Sequence, residues 1–195
     1  MKTVRNLLAL AGVFLMIPVI YLAFVLAPYV SQFQALDEGA ARVYLTMART
    51  VLSSGDAAEA TVYKRRVEPG LGIDEVEETL RFVANELNVR NVGELPMYLE
   101  VQALTGEAFP FLKIYMFCDA GIASRMVTYS SAMAAYLPCR IVLQEDADGN
   151  LWLMTLNLDL MIHGGKPLPE DLLKDALFVR DSLNEIIDRA ATGAF

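Results

Sequence analysis

Between Leu7 and Val30 the chain reads LLALAGVFLMIPVIYLAFVLAPYV, twenty-four residues without a charge. As a helix rising about 1.5 Å per residue, this run reaches roughly 36 Å, enough to cross a hydrocarbon core of about 30 Å with some tilt. Pro18 and Pro28 do not forbid that, because membrane helices re-satisfy the backbone groups a proline frees. Lys2 and Arg5 precede the run, and the far flank opens with Asp37 and Glu38. Basic residues collect on the cytoplasmic side of a span. The asymmetry predicts a bacterial inner-membrane protein with a cytoplasmic N-terminus and a periplasmic remainder. A cleaved secretory signal is the competing reading, but its apolar region is typically about 7–15 residues. Cleavage after Val25-Leu26-Ala27 would place Pro28 next to the scissile bond, and Gly39-Ala40-Ala41 lies well past the apolar run. The expectation is an uncleaved anchor over residues 1–30, with Tyr29 at the outer interface.

Subtracting the anchor from 195 residues leaves enough chain for one compact domain with its own core. Lys2 and Arg5 are the only charges before Asp37, so the chain beyond carries 14 basic and 24 acidic residues, a net charge of −10. A surface of that sign repels phosphate backbones, and nucleic acid is excluded as a partner.

After the span, Phe33, Leu36, Ala40, Val43, Met47 and Val51 recur every three or four residues. This spacing predicts an amphipathic stalk helix over 31–55, continuing the anchor, whose stripe faces the protein's own domain, a second copy or another membrane subunit. The domain itself, 56–195, reads as alternating elements. A strand is predicted at 59–67 and a helix at 73–87, with Ile73, Val76, Leu80, Val83 and Leu87 on one stripe. Met97, Leu99, Val101 and Ala103 alternate with Tyr98, Glu100 and Gln102, which predicts a second strand. A more fully apolar strand at 111–118 and a short helix near 120–134 follow. Strands at 139–145 and 151–158 flank Asp146-Ala147-Asp148-Gly149-Asn150, a hairpin turn. Pro169 opens a closing helix that runs to about 190. The order predicts an α+β fold, an antiparallel sheet with helices on one face.

The segment FCDAGIASRMVTYSSAMAAYLPCRIVLQEDADGNLWLMTLNLDLM resembles the family called domain of unknown function 302. Cys118 ends a strand, a short helix follows, and Leu137-Pro138-Cys139 opens the next strand, with Glu145 at its acidic end. The resemblance covers about residues 58–190. It implies a TATA-box-binding-protein-like arrangement, strand and helix followed by four antiparallel strands and a helix, and no chemistry. Asp119-Ala120-Gly121 stands where the family more often has Asn-Pro.

Cys118 and Cys139 lack the close spacing of a CxxC site and are too few for structural zinc. Strand parity groups Cys118 with Leu112, Ile114 and Met116, and Cys139 with Ile141 and Leu143, so that both thiols reach one buried face. There they are core hydrophobes, a disulfide formed after export, or a reactive or ligating pair. His163, the only histidine, lies in the predicted loop Met161-Ile162-His163-Gly164-Gly165. It is either solvated or part of a soft-metal site with a cysteine and Met116, Met126, Met154 or Met161, ligands suited to Cu(I) or haem iron. Asp146–Asn150 lacks the length and the closing Glu of a calcium loop. No GxGxxG, Walker, HExxH or nucleophile-elbow motif is present.

Two functions follow as expectations. The first is a non-catalytic accessory or binding module, tethered beside a membrane-protein partner or self-assembling. The alternative is small-ligand, metal or thiol chemistry at Cys118 and Cys139, with His163 and Glu145 as further candidates.

Overall fold

A computed structural model describes the backbone of residues 2–195 and all side chains except those of residues 1–13, 15 and 31. Lys2 and Arg5, which carry the predicted orientation, lie among the side chains outside the described set. Helix α1, Lys2–Gln34, contains one stretch apolar enough to cross a membrane. That stretch, Met16–Gln34, has a mean hydropathy of 1.7 and is wholly unburied. It is an N-terminal apolar helix of the kind that signal sequences and membrane anchors share.

The stalk is not a continuation of α1. The helical run ends at Gln34, and α2 spans Ala40–Ser54 after a five-residue break. At the break Asp37 turns the chain: its Oδ1 accepts the Gly39 N–H at 2.8 Å, and its own N–H donates to Gly165 O at 2.8 Å. Of the predicted stripe, Phe33 belongs to α1 and Leu36 to the break, while Ala40 and Val43 are buried. Helix α2 packs against a 3-10 turn at Glu59–Thr61 and against α6, Asp159–His163, so part of its stripe faces the protein's own domain.

The domain is α+β, with a five-stranded antiparallel sheet in the order β1-β5-β4-β3-β2. The strands are β1 Val62–Arg66, β2 Arg90–Leu95, β3 Leu112–Cys118, β4 Cys139–Glu145 and β5 Leu151–Leu156. Two long helices, α3 (Ile73–Glu86) and α7 (Glu170–Thr192), pack on each other and on the sheet. Between sheet and helices lie Tyr115 and Phe117 of β3, Ile141 and Leu143 of β4, Leu153 of β5, and the apolar stripes of α3 and α7. Each fully buried Leu or Ile contributes about 1.5–3 kcal/mol to this core.

The segment predicted as a second strand is a helix, α4, Met97–Thr105. Pro96 precedes it, Gly106 closes it at φ +74 with its N–H on Gln102 O, and Tyr98 stacks on Phe111 with ring centroids 4.9 Å apart. Met97, Val101 and Leu104 satisfy a helical period as well as the strand alternation did. The strand paired to β3 lies earlier, at Arg90–Leu95, where the register shifts between Asn91 and Gly93. Gly93 sits at that irregularity, where an added Cβ would lie 2.8 Å from Met116 Cε, the flexible end of that side chain. The predicted helix near 120–134 is two pieces, α5 at Ala120–Tyr129 and a 3-10 turn at Ser131–Tyr136. The predicted loop around His163 contains the short helix α6.

On the face opposite α3 and α7, β1 and β5 carry Lys64, Arg66, Trp152 and Met154, in pairs Lys64–Met154 and Arg66–Trp152. Lys64 Nζ lies 4.5 Å above the Trp152 ring, and Trp152 Nε1 donates to Asp146 Oδ2 at 2.8 Å.

Candidate functional site: a sulfur-rich cleft

The strand pairing decides which thiol reaches where. Cys139 pairs with Phe117, Tyr115 with Ile141 and Lys113 with Leu143. Directly paired residues share a face, so the buried row of β3 is Tyr115 and Phe117. Leu112, Ile114 and Met116 lie on the other face, and the parity that put both thiols on one buried face is corrected for Cys118. Its approach comes instead from its place at the end of β3. There the chain leaves the sheet through Asp119, whose Oδ1 accepts the Ile122 N–H at 2.8 Å and caps α5. Asp119 thus supplies the cap at the point where the sequence departs from Asn-Pro.

Cys118 and Cys139 line one cleft at this end of the sheet, walled by α5, the 3-10 turn, α6 and α7. Both cysteines are free and half-buried, and the Leu137–Pro138 bond just ahead of Cys139 is cis. The walls are almost wholly apolar: Phe117, Ile122, Leu158, Val179 and Leu183 contribute, and Asp119 is the single charged residue. Three of the nine methionines, Met126, Met133 and Met161, join both cysteines there. The space open to a guest is about 50 Å³. Pockets for drug-sized ligands hold about 300–1,000 Å³, so haem does not fit this arrangement.

Burial pushes the Cys139 thiol up to about 11, with the neighbouring Cys118 adding to the rise and Arg140 opposing it. Cys118 is raised as well, by burial and by Asp119. Both thiols are therefore protonated at neutral pH, the opposite of what a nucleophilic or disulfide-exchanging thiolate needs.

The remaining candidates lie elsewhere. His163 closes α6 with Nδ1 3.0 Å from Asp37 Oδ1 and does not line the cleft. It is therefore a paired group at the α1–α2 junction rather than a solvated loop residue. Glu145 ends β4, six residues or about 20 Å from Cys139. Its backbone N–H donates to Phe111 O at 2.8 Å, and its carboxylate accepts the Phe111 N–H at 3.4 Å. Of the four methionines weighed with the thiols, Met126 and Met161 line the cleft and Met116 and Met154 do not. Among the described residues no three His, Cys, Asp or Glu side chains cluster in a way that would hold a metal.

Sequence reasoning missed Met133, which lies in the tract between α5 and β4. It also missed a charged network on the far side of the core. Lys113 bridges Glu77 at 2.7 Å and Glu94 at 2.8 Å, Arg81 bridges the same pair at 3.0 and 3.1 Å, and Tyr115 donates to Glu77 at 2.5 Å. The available signal was Lys113 at a buried-face position of β3, since a charge there requires a partner.

Fold and cleft together define a small α+β domain with a thiol-bearing pocket, carried behind an apolar helix. The chain belongs to the family described as domain of unknown function DUF302, which matches residues 63–190. No curated protein matches it. Among solved structures it is similar to an uncharacterized conserved DUF302 protein from Bacillus stearothermophilus, at 18% identity and a TM-score of 0.54. That match covers 67% of this chain and 98% of the other. It is a likeness of fold. Both α1 and α2 precede the residues the family matches.

Proposed function

We propose that this chain is a membrane-tethered binding module whose ligand site is the cleft at Cys118 and Cys139. In this reading α1 stays in a bacterial inner membrane with its N-terminus cytoplasmic, and residues 31–195 lie in the periplasm. The module is non-catalytic and works beside a membrane-protein partner or a second copy of itself.

One observation carries this reading: the tether and the cleft meet on one short helix. Met161 of α6 lines the cleft, and His163 of the same helix pairs with Asp37 at the end of the tether. Directly after α6, Gly164 O accepts the Tyr44 hydroxyl of α2 at 2.6 Å, and Gly165 O accepts the Asp37 N–H. A domain held this way has its cleft-lining helix α6 paired to Asp37, close in the chain to the end of the apolar helix, which suits reception or handover of a ligand at a membrane. The raised thiols speak against thiol exchange at resting pH, and a ligand that takes a thiolate there must displace its proton.

A reporter fused after Phe195 tests the topology. Activity of an export-dependent reporter, with the protein in the membrane fraction after high-salt and carbonate washes, is the expected result. Activity of a cytoplasm-dependent reporter, or release of a mature chain starting near residue 42, overturns it. Native mass measurement after gentle detergent extraction tests the assembly; a monomer with no bound protein counts against the accessory role.

A further inference from the structure

We propose that the cleft is a site for a soft, singly charged d10 cation, Cu(I) in the first instance, held by the Cys118 thiolate with thioether sulfur from Met126 and Met161. This deepens the binding-module reading and rests on the cleft being its site.

The argument starts from composition. Both cysteines of the chain and three of its methionines converge on a cleft whose free volume is about 50 Å³. One water takes roughly 10–15 Å³ by this kind of measure, so the space suits an ion with its coordinating atoms drawn in and not an organic cofactor. Core methionine is often a gap-filler. A well-filled gap, however, leaves no space, and the cleft that these residues line keeps about 50 Å³ open. Neither His163 nor Glu145 reaches the cleft, which removes the nitrogen and the nearest strand carboxylate and leaves soft donors. Thiolate and thioether ligands select Cu(I) over harder divalent ions.

Charge then fixes the form of the complex. No Lys, Arg or His lines the cleft, and Asp119, its only charged residue, already accepts the Ile122 N–H. An uncompensated ion among apolar walls is costly. Cu(I) with one thiolate and neutral sulfurs carries no net charge. A divalent ion in the same shell leaves one positive charge, and two thiolates on Cu(I) leave one negative. Cys118 is the residue to ionise, because it is the last residue of β3, where the chain leaves the sheet, whereas Cys139 lies within the β3–β4 pairing opposite the fully buried Phe117. Binding forms a Cu–S bond and breaks the Cys118 S–H bond. The proton goes to solvent, and neither metal nor sulfur changes oxidation state.

The test is anaerobic titration of the full chain, in detergent micelles, with Cu(I) supplied as its acetonitrile complex against bicinchoninate. Expected are one retained ion per chain and one proton released per ion, read calorimetrically in buffers of different ionisation heat. Cys118→Ser should weaken retention by about 100-fold, and the volume-conserving pair Met126→Leu/Met161→Leu by about tenfold. Circular dichroism on each variant confirms that it is folded. Failure of the wild-type chain to retain Cu(I) overturns the proposal, as does full retention by the Met pair or by Cys118→Ser. Release of two protons overturns the single-thiolate shell. Peptide mapping of freshly isolated membranes that finds a Cys118–Cys139 disulfide overturns it too. A copper failure leaves the reporter-fusion result standing, and a topology failure leaves copper retention standing, so the two readings fall separately.

Discussion

Glu94 shows how much a single buried-edge carboxylate contributes at the residue scale. Burial alone would raise its pKa, but hydrogen bonds from Arg81 and Lys113 outweigh burial and hold it at about 2, against an ordinary 4.5. Its folded pKa is depressed, so it contributes stability that is fully present above about pH 4.5 and disappears as pH falls toward 2. Glu77, lowered by Lys113 and Tyr115 against its own burial, loses its contribution in the same direction. Glu94→Gln should therefore cost about 2 kcal/mol at pH 7 and much less near pH 2, as read from urea midpoints across that range. A constant difference at all pH values would show that the carboxylate's charge is not what stabilises. Only Lys113 signalled this network in the sequence, because its partners are scattered over α3 and β2. The thiols were different: both were recognisable from their positions at strand ends, although the face assigned to Cys118 was not.

At the scale of elements, legibility followed the hydrophobic period. Helix α3 and β4 were read almost to the residue because each stripe belongs to one element buried on one side. The segment Met97–Ala103 satisfied two periods at once, and the tie was broken by Pro96 and Gly106 in favour of a helix. Strand β2 gave no period to read, since Arg90, Asn91, Gly93 and Glu94 leave only Val92 and Leu95 apolar. It is an edge strand, specified by pairing with β3 rather than by its own pattern. The opposite edge, β1, carries Lys64, Arg65 and Arg66 in succession, a charge row that discourages pairing with another chain. Helix α6 escaped notice because five residues are too short to show a period. Its end is nevertheless tightly built: a Cβ on Gly164 would lie 2.3 Å from Leu160 O. Gly164→Ala should cost about 1–3 kcal/mol, seen as a lower Tm, and should raise proteolytic cutting between residues 35 and 39 as the Tyr44 and Asp37 contacts loosen. Unchanged stability and unchanged cutting would show that α6 tolerates the displacement.

For the whole molecule, the family match begins at residue 63, and the buried residues of α2, Ala40 and Val43, lie outside the main core. Residues 56–195 alone should therefore fold, with a stability loss of about 1–3 kcal/mol for the missing α2 contacts, measured by denaturant unfolding. Failure of that fragment to give a cooperative transition would mean that α2 is part of the folding unit. The α+β class and the N-terminal apolar helix were readable because each depends on long, one-sided patterns, whereas one of the five strands was placed on the segment that forms α4. The break between α1 and α2 was not, because Ala35–Gly39 preserves an apolar spacing while Asp37 turns the chain through contacts with residues 126 and more positions away.

The chain has one tryptophan, and Trp152 lies beneath Lys64 on the sheet face turned away from α3 and α7. Its β5 position pairs with Gln144, five residues along β4 from Cys139, or roughly 17 Å. The molecule's natural fluorophore is thus placed to watch the uncovered side of the sheet. An ion settling among the sulfurs leaves the indole's immediate neighbours in place, whereas a partner laid across β1 and β5 changes them at once. Emission colour then separates occupancy of the cleft from engagement of the opposite face without any label.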